Sequence, residues 1–201
     1  MIDFTANVWE KRYQEGETPW DLGFPAPPLI NLLASIQAPK VGRTAVLGCG
    51  TGQDAILFAT AGFDVVGFDI APSAIKRAKF IAKTRELNIQ FFNRNIFELE
   101  AEFFNSFDYV LEHTFFCTLD IPVRPQYVQI VKRLLCQNGQ LIALFYTNFS
   151  RVNKPPFGIK PKELLTLFTP HFDVRVLKAT TDSIPQRKGK EHLGIFQVRS
   201  A

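Results

Sequence analysis

Three glycines spaced G-x-G-x-G (Gly48, Gly50, Gly52) lie in the segment VLGCGTGQD, and Asp69 follows 21 residues after Gly48, in GFDI. Glycine lets a backbone turn sharply and lets a ligand approach where a Cβ would otherwise stand. An acid at that spacing, at the end of the next strand, can accept hydrogen bonds from two ribose hydroxyls. Each feature has a plainer reading. A strand-to-helix turn needs glycine for geometry alone, and an acid before a helix is stabilised by the helix dipole. Together they favour a nucleoside-like ligand. Position 53 is Gln, so a G-x-G-x-x-G dinucleotide fingerprint is incomplete, and no Lys stands in the turn as a phosphate loop requires. What remains is an adenosyl ligand without a pyrophosphate, and S-adenosylmethionine fits. Its amino-acid moiety would lie over the glycines and its ribose on Asp69. Asn95, Ile96 and Phe97, after the third strand, would flank the adenine, although Phe97 also reads as plain core. Cys49, Thr51, Asp54 and Ile70 complete the candidate cofactor set around these positions, with Glu112 from the fourth strand.

The elements that must position these residues are legible from residue 44 onward, where short apolar runs alternate with helical patterns. Strands are expected over 44–50, 64–70, 88–95, 107–113 and 140–146, and helices over 53–62, 71–86, 124–139 and 160–168. FDVRVLKAT and HLGIFQVRS then read as two consecutive closing strands. Alternation of this kind implies a doubly wound α/β fold, a mostly parallel sheet of about seven strands with helices on both faces and an antiparallel C-terminal edge pair. The 201 residues read as one domain, with residues 1–40 as a helical N-terminal extension.

Composition narrows the function. Hydrophobic residues make up 46% and charged residues 21%, which excludes wholesale disorder, and 20 Phe predict an aromatic-rich interior. The net charge is +4, too small for a phosphate-binding stripe, and the one dense basic run, RKGK (Arg187 to Lys190), reads first as a solvated loop. Three cysteines without a CxxC pair argue against a disulfide framework and for a reducing compartment. The acidic, weakly apolar N-terminus is no signal peptide, and no apolar run reaches the roughly 18 residues of a membrane span. A cytoplasmic monomer acting on a small molecule is expected, without metal, membrane or nucleic-acid partner. Cys117 has no base placed beside it by any motif and reads as buried packing. NKPPF is interrupted by Lys154 and follows the fifth strand, so it is no adenine-N6 methyltransferase motif.

The combination of GETPWD, VLGCGTGQD and GFDIAPSAI resembles the thiopurine S-methyltransferase-like superfamily. Within it, HTFFCTLDIPVRPQYVQIV, LFY, NKPPF and IPQRKGKEHLGIF are similar to the halide/thiol methyltransferase branch, over about residues 9–196. Asp120 and Ile121 stand where that branch carries Glu and Pro, Tyr127 replaces a Trp, and Phe157 replaces a Tyr. The resemblance implies methyl transfer from S-adenosylmethionine, giving S-adenosylhomocysteine, to a thiol, hydrosulfide, halide or thiocyanate. Thiopurines or selenium and tellurium species are the alternative within the superfamily, and a nucleic-acid methyltransferase is the more distant one. It also implies that the proline-stiffened N-terminal segment is a lid, with Trp9 and Trp20 near the sulfonium. A thiol with a pKa of roughly 8.5 is already partly ionised near neutrality, so positioning in a dry pocket is expected to carry the rate. Phe115, Phe116, Tyr146, Phe157 and Arg187 are the pocket candidates, with Arg124 nearby to attract an anion. Arg124 also reads as a helix-start residue paired with Asp120. Glu112 and His113 either orient substrate, relay a proton or serve structure only.

Overall fold

The computed structural model describes residues 6–149 and 153–199. The first five residues of the expected lid and the last residue of the expected closing strand lie outside the described residues. The chain forms two compact units, one ending at Glu98 and one beginning at Leu99.

The first unit contains α1 (Ala6–Glu15), α2 (Pro27–Ala34), β1 (Arg43–Leu47), α3 (Gln53–Thr60), β2 (Asp64–Asp69), α4 (Pro72–Thr84) and β3 (Gln90–Asn93). Its strands lie in the order β3-β2-β1, all parallel. Nearly every residue of RTAVL and DVVGFD is buried, as expected of parallel strands covered on both faces. Register pairs Leu47 with Phe68 and Asp69 with Asn93, so the three strands end level and their following turns emerge together. Helix α4 starts with Pro72, whose fixed φ suits a first turn, and buries Ala74, Ile75, Ala78 and Ala82 along one face. Gly67 faces Phe91 across β2 and β3. A Cβ there would stand 2.5 Å from the Phe91 ring and 3.1 Å from Cys49 Sγ. The ring therefore occupies space that only glycine leaves, directly beneath the turn after β1.

The second unit contains α5 (Glu100–Phe103), β4 (Phe107–His113), α6 (Arg124–Leu134), β5 (Leu135–Tyr146), α7 (Pro161–Phe168), β6 (Phe172–Ala179) and β7 (Glu191–Val198). Its strand order is β4-β5-β7-β6, with β4 and β5 parallel and the last two strands antiparallel. Phe116, Tyr127, Phe145, Phe168, Phe172 and Phe196 form its fully buried aromatic centre. Phe145 meets Phe116 edge-on at 5.5 Å and Phe196 at 6.0 Å.

One boundary differs from expectation. The helix read over 124–139 stops at Leu134, and CQNG belongs to β5. Leu135 already pairs with Phe107, and the carbonyls of Arg133 and Leu134 accept from the N–H groups of Asn105 and Ser106. Gly139 is therefore no helix terminator. A Cβ on it would lie 2.9 Å from the Cys136 carbonyl, so glycine serves a close backbone approach within the strand.

Gly67→Ala is expected to destabilise the protein by about 1–3 kcal/mol through overpacking against Phe91, read as a lower denaturant midpoint. An unchanged midpoint would mean that the Phe91 ring shifts freely and the close fit carries no weight.

Candidate active site

The turn after β1 is built from left-handed backbone, with φ of 59° at Gly48, 54° at Gly50 and 83° at Gly52. Beside it, Asp69 Oδ2 accepts from Gly50 N at 2.8 Å and Oδ1 from Ala71 N at 2.9 Å. Burial raises the Asp69 pKa above its ordinary value, against the opposing pull of those N–H bonds. Both readings made from the sequence thus meet in one residue. Asp69 caps the approach to α4, and the Ile70 N–H also acts on its carboxylate. Asn93 Nδ2 donates to the Asp69 carbonyl at 3.0 Å, and Asn95 Oδ1 accepts from Phe97 N at 3.1 Å. Ile96 is buried, whereas Ile70, Asn95 and Phe97 are partly exposed. The partly buried Cys49 sits over Gly67, its thiol pKa raised first by burial and then by Asp69.

The N-terminal segment is fastened to this same unit. Glu10 accepts from Ser73 N at 2.8 Å and Ser73 Oγ at 2.6 Å, placing a carboxylate at the positive end of α4. Thr51 donates to Asp21 Oδ2 at 2.9 Å, and Asp54 Oδ1 accepts from Ala26 N at 2.8 Å. Two residues assigned to the cofactor from sequence therefore act here as latches. Tyr13 packs on Ala71 and Ala74, with Trp9 and Trp20 against it, and Trp20 donates to the Tyr13 hydroxyl at 3.1 Å. The cation on the Trp20 ring is Arg12, 4.4 Å from its centroid.

In the second unit, the chain after β4 folds around Glu112. Its Oε2 accepts from Phe115 N at 3.0 Å and Phe116 N at 2.9 Å, while Thr114 turns through a φ of 56°. The side chain is completely buried, and burial pushes its pKa up to about 7 despite those bonds. Arg124 is buried as well, its guanidinium 4.8 Å from the Phe116 centroid, donating to the carbonyls of Phe157 at 3.1 Å and Gly158 at 3.2 Å. These carbonyls, rather than Asp120, are its partners. Phe157 N donates to the Cys117 carbonyl at 2.6 Å, which ties the 157–158 segment to the turn. Cys117 is buried, donates to the Thr114 carbonyl at 3.0 Å and has its thiol pKa raised by burial, as the packing reading expects.

Within RKGK the residues divide: Lys188 and Lys190 are exposed, but Arg187 is buried. Arg187 Nη1 lies 2.6 Å from His113 Nε2 and 3.3 Å from Glu191 Oε1. His113 Nε2 also lies 3.6 Å from Glu191 Oε1, so the ring, the guanidinium and the carboxylate form one cluster. Of the six pocket candidates, Phe115 and Tyr146 are partly exposed, and Phe116, Phe157, Arg124 and Arg187 are interior. Sequence reasoning passed over Glu191, which sits in the IPQRKGKEHL segment, and gave Tyr127 no role beyond noting the exchanged Trp. Among the described residues, no cluster of three or more His, Cys, Asp or Glu is arranged to hold a metal ion, and no helix is long and apolar enough to cross a membrane.

Solved structures carry the same architecture. A structure solved for the conversion of a disulfide bond into a thioacetal group during echinomycin biosynthesis superposes with a TM-score of 0.81 over 96% of this chain and 92% of that one, at 20% identity. The 1,6-didemethyltoxoflavin-N1-methyltransferase of Burkholderia thailandensis, solved with S-adenosylhomocysteine, superposes at 0.79 over 97% and 87%, at 15% identity. The chain therefore shares the fold of these structures, doubly wound and mostly parallel, with the antiparallel closing pair expected from the sequence. Residues 4–201 match the model of the thiopurine S-methyltransferase family, and the chain belongs to that family. It is 33% identical over 203 residues to the probable thiol methyltransferase 2 of Arabidopsis thaliana, covering 100% of this chain and 88% of the relative. It is 31% identical over 189 residues to thiocyanate methyltransferase 1 of the same plant, covering 92% and 82%. The protein is a methyltransferase.

Glu10→Ala removes two charge-assisted bonds and is expected to loosen residues 6–28 by about 1.5–3 kcal/mol, read as faster amide exchange confined to that segment. Uniform loss of protection across the first unit would make α1 part of its cooperative core instead. Glu112 supplies a second expectation. Its pKa is raised from an ordinary 4.5 to about 7, so its contribution to stability is full below pH 4.5 and is lost as pH rises through about 7. Glu112→Gln should therefore be more stable than wild type at pH 8, with the gap closing towards pH 5, each pKa unit being worth about 1.4 kcal/mol. A gap that does not change with pH would contradict the raised value.

Proposed function

We propose that this methyltransferase transfers the methyl group of S-adenosylmethionine to a small soft nucleophile of the thiol, hydrosulfide, halide or thiocyanate class. The adjacency of Asp69 and the glycine turn carries the cofactor half of the reading. An acid at the end of β2, 2.8 Å from Gly50 N, suits ribose hydroxyls, and the Tyr13 hydroxyl of the N-terminal segment stands over Gly50, where a Cβ would be. The cofactor supplies a methyl group made electrophilic by its sulfonium. Around it, Gly48, Cys49, Gly50, Thr51 and Gly52 would offer backbone to the amino-acid end, Asp69 and Ile70 would hold the ribose, and Asn95, Ile96 and Phe97 would border the adenine. Trp9 and Trp20, held by Tyr13, would exclude water, and Asp54 would keep the segment in place through Ala26.

For the acceptor, Phe115, Phe116, Tyr146 and Phe157 supply an aromatic, weakly hydrating wall, Arg124 supplies buried positive charge, and Arg187, its charge balanced by Glu191, borders the pocket. A soft nucleophile sheds its water cheaply and needs orientation more than activation, which such a wall provides. The relatives named for thiol and thiocyanate transfer support this class. A nucleic-acid acceptor fits less well, because Arg187 is committed to His113 and Glu191 and leaves Lys188 and Lys190 as the exposed charges of RKGK. We infer a cytoplasmic monomer that works on diffusible acceptors.

A panel of thiols, hydrosulfide, iodide, thiocyanate and thiopurines, scored by S-adenosylhomocysteine release, tests the reading. Turnover is expected with the small nucleophiles, and turnover restricted to thiopurines would overturn it. Asp69→Ala should weaken S-adenosylmethionine binding by about 1.5–3 kcal/mol in calorimetry, the value of hydrogen bonds to a charged group. Wild-type affinity in that variant would remove the ribose assignment.

A further inference from the structure

Among the described residues, four buried side-chain atoms have no hydrogen-bond partner: Gln53 Oε1, Glu112 Oε1, Arg124 Nε and Tyr127 Oη. Three of the four gather around Phe116. Glu112 Oε2 receives the Phe116 N–H, Arg124 lies over its ring, and the Tyr127 ring meets it edge-on at 5.4 Å. Arg124 and Tyr127 are three residues apart on α6 and so share a face. A buried polar atom left without a partner is costly, and folded proteins rarely tolerate one. A glutamine at position 112 would cap the same two N–H groups without the expense of burying an ionisable acid. A carboxyl with one oxygen engaged and the other empty is therefore more than the turn requires.

We propose that Glu112 Oε1 is the proton acceptor of the reaction, with the Tyr127 hydroxyl holding the incoming nucleophile, so that the enzyme prefers acceptors that carry a proton, thiols and hydrosulfide, over halide and thiocyanate. This rests on the soft-nucleophile reading above and narrows it. In the step, the S–H proton passes to Glu112 Oε1 while the sulfur lone pair forms the new S–CH3 bond. The old methyl–sulfonium bond breaks with its electrons remaining on sulfur, leaving neutral S-adenosylhomocysteine and a protonated Glu112 that returns its proton to water. A halide has no proton to give and would meet a like charge instead.

The groups facing Glu112 agree with this role. His113 lies beside it on β4, Cys117 comes from the following turn, and Tyr127 comes from α6, with Arg124 and Arg187 acting on the same Cys117. Burial sets the carboxyl near 7, where it is partly ionised at neutral pH and matched to a thiol.

The test compares wild type, Glu112→Gln and Tyr127→Phe in the full chain, with a simple alkyl thiol and with thiocyanate, between pH 5.5 and 9. In wild type, thiol turnover should rise through about pH 7. In Glu112→Gln, the ratio of thiol to thiocyanate turnover should fall by about 10²-fold, the low end for a lost general base. Its thiol profile should then follow the thiol's own ionisation, near pH 8.5 or above. Tyr127→Phe should raise the KM for thiol relative to that for thiocyanate, and it carries the test if Glu112→Gln does not fold. An unchanged ratio in both variants, or equal loss with both acceptors, would overturn the proposal while leaving the soft-nucleophile reading intact. A wild-type enzyme that turns over neither acceptor removes that reading, and the proposal falls with it.

Discussion

The carboxylate of Asp69 joins three pieces of the first unit. Through Gly50 N it fixes the turn after β1, and through Ala71 N it fixes the approach to α4. By way of α4 it also sets where Ser73 presents its donors to Glu10. The bond to Gly50 is possible only because β1 and β2 run parallel with Leu47 opposite Phe68, and Gly67 lets Phe91 fill the space beneath. Register, glycine placement and the N-terminal fastening are therefore one mechanical system, anchored on a buried acid.

The second unit repeats the device with a variation. Strand β4 also ends in a carboxylate that gathers two N–H groups from the chain that follows, here those of Phe115 and Phe116. Asp69 engages both of its oxygens, Oδ2 with Gly50 and Oδ1 with Ala71, whereas Glu112 concentrates its two bonds on Oε2. The longer side chain reaches the turn with one oxygen and keeps the other apart. That asymmetry separates an acid that organises backbone from one that also has chemistry to offer.

What was legible in the sequence had local signals. The glycine turn, the acid ending β2, the alternation of strands and helices, and the paired closing strands each lie within a few residues of their cause. The family resemblance was equally local, carried by contiguous segments. Long-range pairings were not legible. Nothing near Thr51 or Asp54 announces that Asp21 and Ala26 will reach them, and nothing near Arg124 announces the carbonyls of Phe157 and Gly158. The RKGK run shows the limit of composition, because one of its three cations turns inward to Glu191, the residue just after the run, and to His113 on β4. The misplaced end of α6 has the same origin: Gly139 looks like a helix stop until β4 is seen beside it.

The N-terminal segment has an optical consequence. Trp9 and Trp20 are the two tryptophans of the chain, and their rings lie 5.4 Å apart, edge to face. Arg12 sits over Trp20, and the Tyr13 hydroxyl holds its indole N–H. The tryptophan emission of the protein therefore originates from this one aromatic nest. Its wavelength and intensity are set by a nearby guanidinium and a phenol, while the twenty phenylalanines stay dark at tryptophan excitation. The fluorescence spectrum is a selective reporter of residues 6–28, silent on events that do not disturb them.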